Sequence, residues 1–495
     1  MFAAAEADPQ LSKEEAGPLE DRLRTALLKA QYARLKQEQR ALLIVIAGID
    51  GAGKGASVCL LNEWMDARHI RTLAFGEPSA AEQGHPWLWR YWRSLPAKGR
   101  TGIVFGSWYR PLLKEAARKK PRQKKILAFT QAIRDFENTL AQNGVQVIKL
   151  WYHLSQTAQR ERTEKLLSDP DTAWQVRPED IKAQKKFARL RDAGALAISL
   201  THEAHAPWTI IPAADKQMRD ISTGQAVLAA LRKRRIEPLP HAAQASTPVH
   251  APAPVPTLND LDYAIKLGDD EYDKRLPEWQ GRLARLARHP AFGKTPVILV
   301  FEGQDAAGKG GTIRRVTRAL DARQFRAIPI SAPSREELAH PYLWRFWRDL
   351  PEPGNLAIFD RSWYGRVLVE RVEQYASEAE WRRAYDEINQ FESQLLDSGA
   401  VILKFWLAVS KDEQLARFRE REASPFKSFK ITPDDWRNRK QWDAYVQAAN
   451  DMFRHTSTQA CPWHVLSAND KRHARIAVLE CLVEALEAAQ DRNSP

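Results

Sequence analysis

Short, unbroken apolar runs alternate with amphipathic stretches along the second half of this chain. Val297-Ile-Leu-Val-Phe301 is continuous and rich in β-branched residues, which suits a strand buried on both faces. From Lys309 onward, Ile313, Val316 and Leu320 fall at helical spacing. Leu356-Ala-Ile-Phe359 reads as a second buried strand, ending at Asp360. The stretch from Glu380 to Leu396 predicts a helix, with Trp381, Tyr385, Ile388, Phe391 and Leu395 on one stripe. Val401-Ile-Leu-Lys-Phe-Trp406 reads as a third strand, and Lys411 to Arg421 as a charged helix. Strands alternating with helices predict an α/β fold built on a doubly wound parallel sheet.

The whole pattern occurs twice. Subtracting positions gives 255 for Gly308 and Gly53, His340 and His85, Trp344 and Trp89, Ser362 and Ser107, Phe391 and Phe136, Trp406 and Trp151, Trp463 and Trp208, and Lys471 and Lys216. One offset held from the first glycine-rich loop to the end of each half implies duplication of an entire domain. Ahead of the loop the offset becomes 249, matching Leu27 and Gln31 to Leu276 and Gln280, so the second copy carries extra residues around 289–294. The expected organisation is a degenerate first domain over 1–234, a Pro/Ala-rich linker over 235–260 and a complete second domain over 261–495.

Charge narrows the choice of partner. Lys and Arg number 75 against 62 Asp and Glu, a formal net charge of +13. Such a chain suits a polyanion: nucleic acid, an anionic membrane surface or a phosphate polymer. The three cysteines, Cys59, Cys461 and Cys481, form no CxxC or Cys/His spacing, so neither a disulfide frame nor a zinc site is indicated. The first residues lack a basic-then-apolar leader, and no apolar run is long enough to span a bilayer. A soluble cytoplasmic protein is the expectation.

The candidate chemistry sits where the strands end. Gly303-x4-Gly308-Lys309 follows one predicted strand and opens a helix, the setting a phosphate loop needs. Backbone N–H groups of Gly303, Ala306, Ala307, Gly308, Gly310 and Gly311 would cradle a phosphate, and Lys309 would neutralise it; an ordinary glycine-rich turn is the plain alternative. Gly310-Gly311 stands where GK[ST] loops carry the hydroxyl that holds Mg²⁺. Asp305, in the loop, and Asp360, at the end of the second strand, are the natural carboxylates for that ion instead. Arg366 and Arg371 follow Arg361, and Arg421, Lys427, Lys430 and Arg437 crowd a segment broken by Pro425 and Pro433. A charged helix, a break and another helix suggest a lid over a long anion, though a solvated basic face is the plainer reading of any one residue. The first half keeps Asp50 and Lys54. It has Phe105-Gly106 for Asp360-Arg361, Leu166 for Arg421, Thr172 for Lys427 and Gln175 for Lys430. The repeated aromatic stretch, His85 to Pro96 and His340 to Pro351, reads as packing.

Residues 301–311, 340–347, Phe359-Asp-Arg-Ser-Trp-Tyr364, and Lys430-x2-Pro433-x2-Trp436 through 461–463 together resemble the polyphosphate kinase 2 family. The resemblance covers nearly all of the second half and, more weakly, the first. It implies a thymidylate-kinase-like P-loop domain with a helical lid, and two fused copies resemble the subgroup that makes ADP from AMP and inorganic polyphosphate. Asp305, Lys309, Asp360 and Arg361 match that family's catalytic motifs, while Arg366, Arg371, Arg421, Lys427, Lys430 and Arg437 fall in or beside its anion-contacting segments. Gly365 departs from the asparagine the family often has. The implied partners are AMP/ADP, polyphosphate and Mg²⁺, with no nucleic acid and no membrane, in a homo-oligomer. Alternatives are an ADP or GDP acceptor, an ATP-dependent P-loop kinase, or a non-catalytic polyanion-binding scaffold.

Overall fold

The computed structural model describes residues 1–233 and 251–493, apart from 177, 179, 180, 182 and 183. Most of the expected linker, 235–250, lies outside the described residues. The chain forms two compact units, each built mainly from one half. The first also takes in residues 333–344, and the second takes in 79–89.

The first unit holds β1 (Ala41–Gly48), β2 (Ile70–Ala74), β3 (Thr101–Phe105), β4 (Val145–His153) and β5 (Trp208–Pro212). They form one parallel sheet in the order β2-β3-β1-β4-β5. The second holds β6 (Val297–Gly303), β7 (Phe325–Pro329), β8 (Leu356–Asp360), β9 (Val401–Ala408) and β10 (Trp463–Ser467). Its parallel order is β10-β9-β6-β8-β7, the same topology. In both sheets the strand that runs into the glycine-rich loop is central. The chain reaches one side of it, then crosses to the other, so the crevice beyond its carboxyl end is the switch point where such sheets bind ligands.

The apolar runs of β6, β8 and β9 are buried because helices cover both faces of the sheet. Leu299, Phe301, Leu403, Phe405 and Leu407 pack against the helix Lys471–Asn493. The edge strand β7 has largely exposed side chains and no apolar run. β10 is a short alternating strand, so neither carries the continuous apolar signature of β6.

One residue breaks the apolar run of β9. Lys404 is fully buried, and its Nζ donates to Glu392 Oε2 at 2.8 Å, Tyr364 OH at 3.0 Å and the Thr456 carbonyl at 2.7 Å. Three donors meet three acceptors, which is what makes a buried ammonium tolerable. Glu392 also accepts from Trp363 Nε1 and Tyr364 OH, at 3.1 and 2.7 Å. Lys149, Glu137, Trp108 and Tyr109 repeat this network in the first unit. The Ser-Trp-Tyr signature is therefore an anchor that pins the chain leaving β8, or β3, to the core.

Candidate active site

The loop between β6 and the helix Lys309–Thr317 is shaped by backbone that few side chains allow. Gly303 has φ +136, and a Cβ there would collide with the Leu407 carbonyl oxygen on β9. Gly308, with φ +103, caps the helix that begins at Lys309. Ala306 and Arg361 also sit at positive φ, 63° and 65°, which costs a non-glycine residue about 1 kcal/mol or more and clusters at functional sites. In the first half both positions are glycine, Gly51 and Gly106. That half has shed the strain along with the arginine.

The expected loop and strand-end residues converge. Asp305 accepts from Arg361 at 3.2 Å and from Asn438 Nδ2, on the lid helix Pro433–Lys440, at 2.8 Å. Lys309 Nζ folds back onto the carbonyls of Gly303 (2.7 Å) and Gln304 (3.3 Å). Asp360 ends β8 in register with Phe301 of β6. Glu302 lies beneath, 5% exposed, and accepts from Ser362 Oγ at 2.8 Å. Burial pushes its carboxyl above the ordinary range, and Lys309, Ser362 and Arg361 only partly offset this. In the first half the partners are rearranged. With no strand-end arginine, Asp50 pairs with Lys54 at 2.9 Å.

The loop is braced from behind. Gln414 donates to the Asp305 carbonyl at 3.1 Å, and the buried Arg417 donates to carbonyls of Ala306, Ala468 and Asn469 at 3.0, 2.7 and 2.9 Å. Arg417 therefore holds the loop's shape. Lys471 and Arg475, on the helix Lys471–Asn493, approach the loop at Gly308 and Gly311.

The lid cations are distributed differently from one another. Arg371 is committed to packing: it donates to Asp451 at 2.8 Å and Tyr385 at 3.0 Å and lies over the Trp381 ring at 4.3 Å. Arg366 pairs with Glu370, Arg437 with Glu373 and Asp434, and Lys427 with Glu420. Lys430 lies over the Phe429 ring at 5.7 Å, and Arg421 is on the helix Lys411–Ala423. None of these contacts joins the loop, whereas Asn438 does. The helix–break–helix pattern is present as Lys411–Ala423, a 3-10 turn at Ser428–Lys430 and Pro433–Lys440.

A cleft opens over the loop. Asp305, Arg361 and Asn438 line its polar side, and Trp406, Trp442 and Tyr445 its aromatic side. The sequence pointed to the polar side through the glycine spacing and the strand end. Asn438, Trp442 and Tyr445 lie more than 130 residues beyond Asp305 and carry no motif that would have found them; the available signal was that all three differ from their counterparts, Ala183, Phe187 and Leu190.

A parallel α/β sheet with a glycine-rich loop at its switch point, a loop lysine, a strand-end carboxylate and a helical lid defines a P-loop phosphotransferase. The family model for polyphosphate kinase 2 matches residues 10–238 and again 266–494, and the chain belongs to that family. It is 44% identical over 498 residues to the polyphosphate:AMP phosphotransferase of Pseudomonas aeruginosa, and 42% identical over 500 residues to the same-named protein of Pseudomonas syringae, covering at least 99% of each chain. An ADP-polyphosphate phosphotransferase of Rhizobium meliloti is 38% identical over 216 residues, 44% of this chain and 71% of that one. A crystal structure of a polyphosphate kinase 2 from Pseudomonas aeruginosa superimposes with a TM-score of 0.87 at 42% identity, over the full length of both chains.

Proposed function

We propose that the second half transfers the terminal phosphoryl group of inorganic polyphosphate to AMP, giving ADP, and that the first half does not catalyse. The observation that carries this is the Asp305–Arg361–Asn438 constellation over the loop, absent from the first half, where Asp50 is tied to Lys54. Full-length likeness to proteins named for that activity supports the choice of AMP.

Phosphoryl transfer asks a protein chiefly for alignment and charge neutralisation. The loop backbone of 303–311 binds the acceptor's phosphate at the N-terminus of the helix Lys309–Thr317. Lys309, held on two carbonyls, turns to a phosphate oxygen when one arrives. Arg361 balances charge on the transferring group, and Asn438 carries the lid's closure to Asp305. The donor lies along the lid cations, where Arg366, Lys427 and Arg437 exchange carboxylate partners for phosphates.

Magnesium fits the donor set. Among the described residues no cluster of three metal-ligating side chains occurs. Mg²⁺ needs only one or two carboxylates beside phosphates and water, and Asp305 and Asp360 supply them. Held by Asp305 and Asp360, the ion would supply neutralisation of the charge on the transferring phosphoryl group.

The test is ADP formation from AMP, polyphosphate and Mg²⁺ by the intact chain, with ADP and GDP as competing acceptors and ATP as competing donor. Turnover of AMP with polyphosphate above that of the other pairs is expected. Faster turnover of ADP would overturn the acceptor, and dependence on ATP would overturn the donor.

A further inference from the structure

The far end of the loop carries cations that neither the cleft nor the lid accounts for. Lys471 and Arg475, four residues apart, share a face of the helix Lys471–Asn493. Arg314, on the helix Lys309–Thr317, lies one turn beyond Gly310. A Cβ built on Gly311 would lie 3.5 Å from Arg475 Nη2 and 4.0 Å from Arg314 Nη2. One built on Gly310 would lie 3.9 Å from Arg314 Nη1, and one on Gly308 4.0 Å from Lys471 Cγ. Among the described residues no carboxylate pairs with any of the three; Arg475 donates only to Tyr272 OH, at 3.4 Å. Burial and the neighbouring Arg417 hold the Lys471 ammonium below the ordinary lysine range, with Glu420 and Glu413 offsetting part of this. The arrangement opposes the fold. Like charges at this spacing repel, and cations in the first turns of a helix face the positive end of its dipole. Local rules broken without compensation are expected at functional sites.

None of the three lines the cleft that holds Asp305, Arg361 and the aromatic side chains. A mononucleotide brings one phosphate, which the loop and Lys309 already answer, so further cations call for a longer anion. They are joined to the lid. Lys427 pairs with Glu420 at 2.7 Å, and that hydrogen bond, followed by the charge of Lys471, holds the Glu420 carboxyl below its ordinary range. The first half keeps the loop and loses the charge beside it. Cys59 stands for Arg314, Asp220 for Arg475 and Thr172 for Lys427, while Lys216 matches Lys471. Asp220 is neutralised by Arg219 at 2.7 Å, and the Arg219 guanidinium crowds Gly53.

Building on the proposed activity, we propose that Arg314, Lys471 and Arg475 form a donor subsite that continues the polyphosphate track from Lys427 on the lid to the far end of the loop. They hold phosphates inside the polymer, next to the one transferred. The guanidinium forks suit the paired oxygens of such phosphates. A polyanion also relieves the repulsion among the three cations, so the polymer binds where the free chain is electrostatically unfavourable. These are binding and positioning residues; the transferring group itself is left to Lys309 and Arg361.

The experiment uses the intact chain carrying Arg475→Gln or Arg314→Gln, with KM measured separately for polyphosphate and for AMP. A rise of about tenfold in the KM for polyphosphate is expected from each lost charge-assisted contact, with the KM for AMP held. The salt dependence of the KM for polyphosphate becomes shallower in each variant, because one screened contact fewer remains. Arg475→Lys is expected to recover most of the affinity. Tyr272→Phe removes the hydroxyl that Arg475 bonds and is expected to leave both KM values unchanged; a rise matching that of Arg475→Gln would make Arg475 structural and overturn its assignment. If Arg475→Gln does not fold, Arg314→Gln, at an exposed position, decides alone. An unchanged KM for polyphosphate in the folded variants, or an equal rise in the KM for AMP, would overturn the subsite. Absence of AMP turnover with polyphosphate in the unsubstituted chain would instead overturn the activity it rests on.

Discussion

At the residue scale, the second half is distinguished by which carboxylate each cation holds. Asp305 is shared by Arg361 and Asn438, leaving Lys309 on backbone carbonyls, whereas Asp50 is taken by Lys54. The first half has neither partner, with Gly106 for Arg361 and Ala183 for Asn438. Asp360→Asn is expected to lower kcat on the order of 10³-fold with little change in melting temperature, since it removes charge where charge develops; near-normal ADP formation would remove Asp360 from the site. Glu302 gives a pH prediction. Burial raises its folded pKa, so the unfolded chain loses the proton first as pH rises, and the fold is progressively destabilised between the unfolded and folded values. Unfolding free energies measured as pH rises above the ordinary glutamate pKa of about 4.3 should therefore decline more steeply for the native chain than for Glu302→Gln, which stays neutral throughout.

At the element scale, the lid reaches the loop carboxylate through its amide. The helix Pro433–Lys440 touches the loop by Asn438. Arg437 on the same helix is paired with Glu373 and Asp434. Asn438→Ala should uncouple lid closure from Asp305 and cut kcat roughly 10- to 100-fold, the cost of small misplacement at a reacting centre. Unaltered single-turnover rates would show that closure is transmitted elsewhere. Of the elements, β6, β8, β9 and the helix Glu378–Asp397 were readable because burial on both faces, or on one stripe, leaves an apolar period in the sequence. β7 was not, because its side chains are mostly solvent-facing, and its pairing with β8 comes from backbone hydrogen bonds that any residue can make.

At the scale of the whole molecule, duplication has yielded two sheets of one topology with different sites above them. In the intact chain, Lys309→Ala should abolish most ADP formation while Lys54→Ala leaves it within about twofold, because Lys54 lies away from the chemistry; equal losses would assign catalysis to both halves. Because each compact unit takes in a short stretch of the other half, substitutions in the full chain are a cleaner comparison than halves expressed alone. The net charge of +13 predicts that the KM for polyphosphate rises steeply with salt, as the screening length falls from about 10 Å at 0.1 M to about 3 Å at 1 M, while the KM for AMP changes less. The sequence alone determined the duplication, the parallel α/β class, the loop and the strand-end pair, because each is a local pattern with a local physical cause: period, glycine conformation, charge beside a strand end. Only the tertiary structure decided that Arg417 braces the loop from behind, that Arg371 is locked onto Asp451, and that Asn438 reaches Asp305. Those are contacts between residues tens to more than a hundred positions apart, fixed by sheet register and helix packing, and no spacing along the chain encodes them.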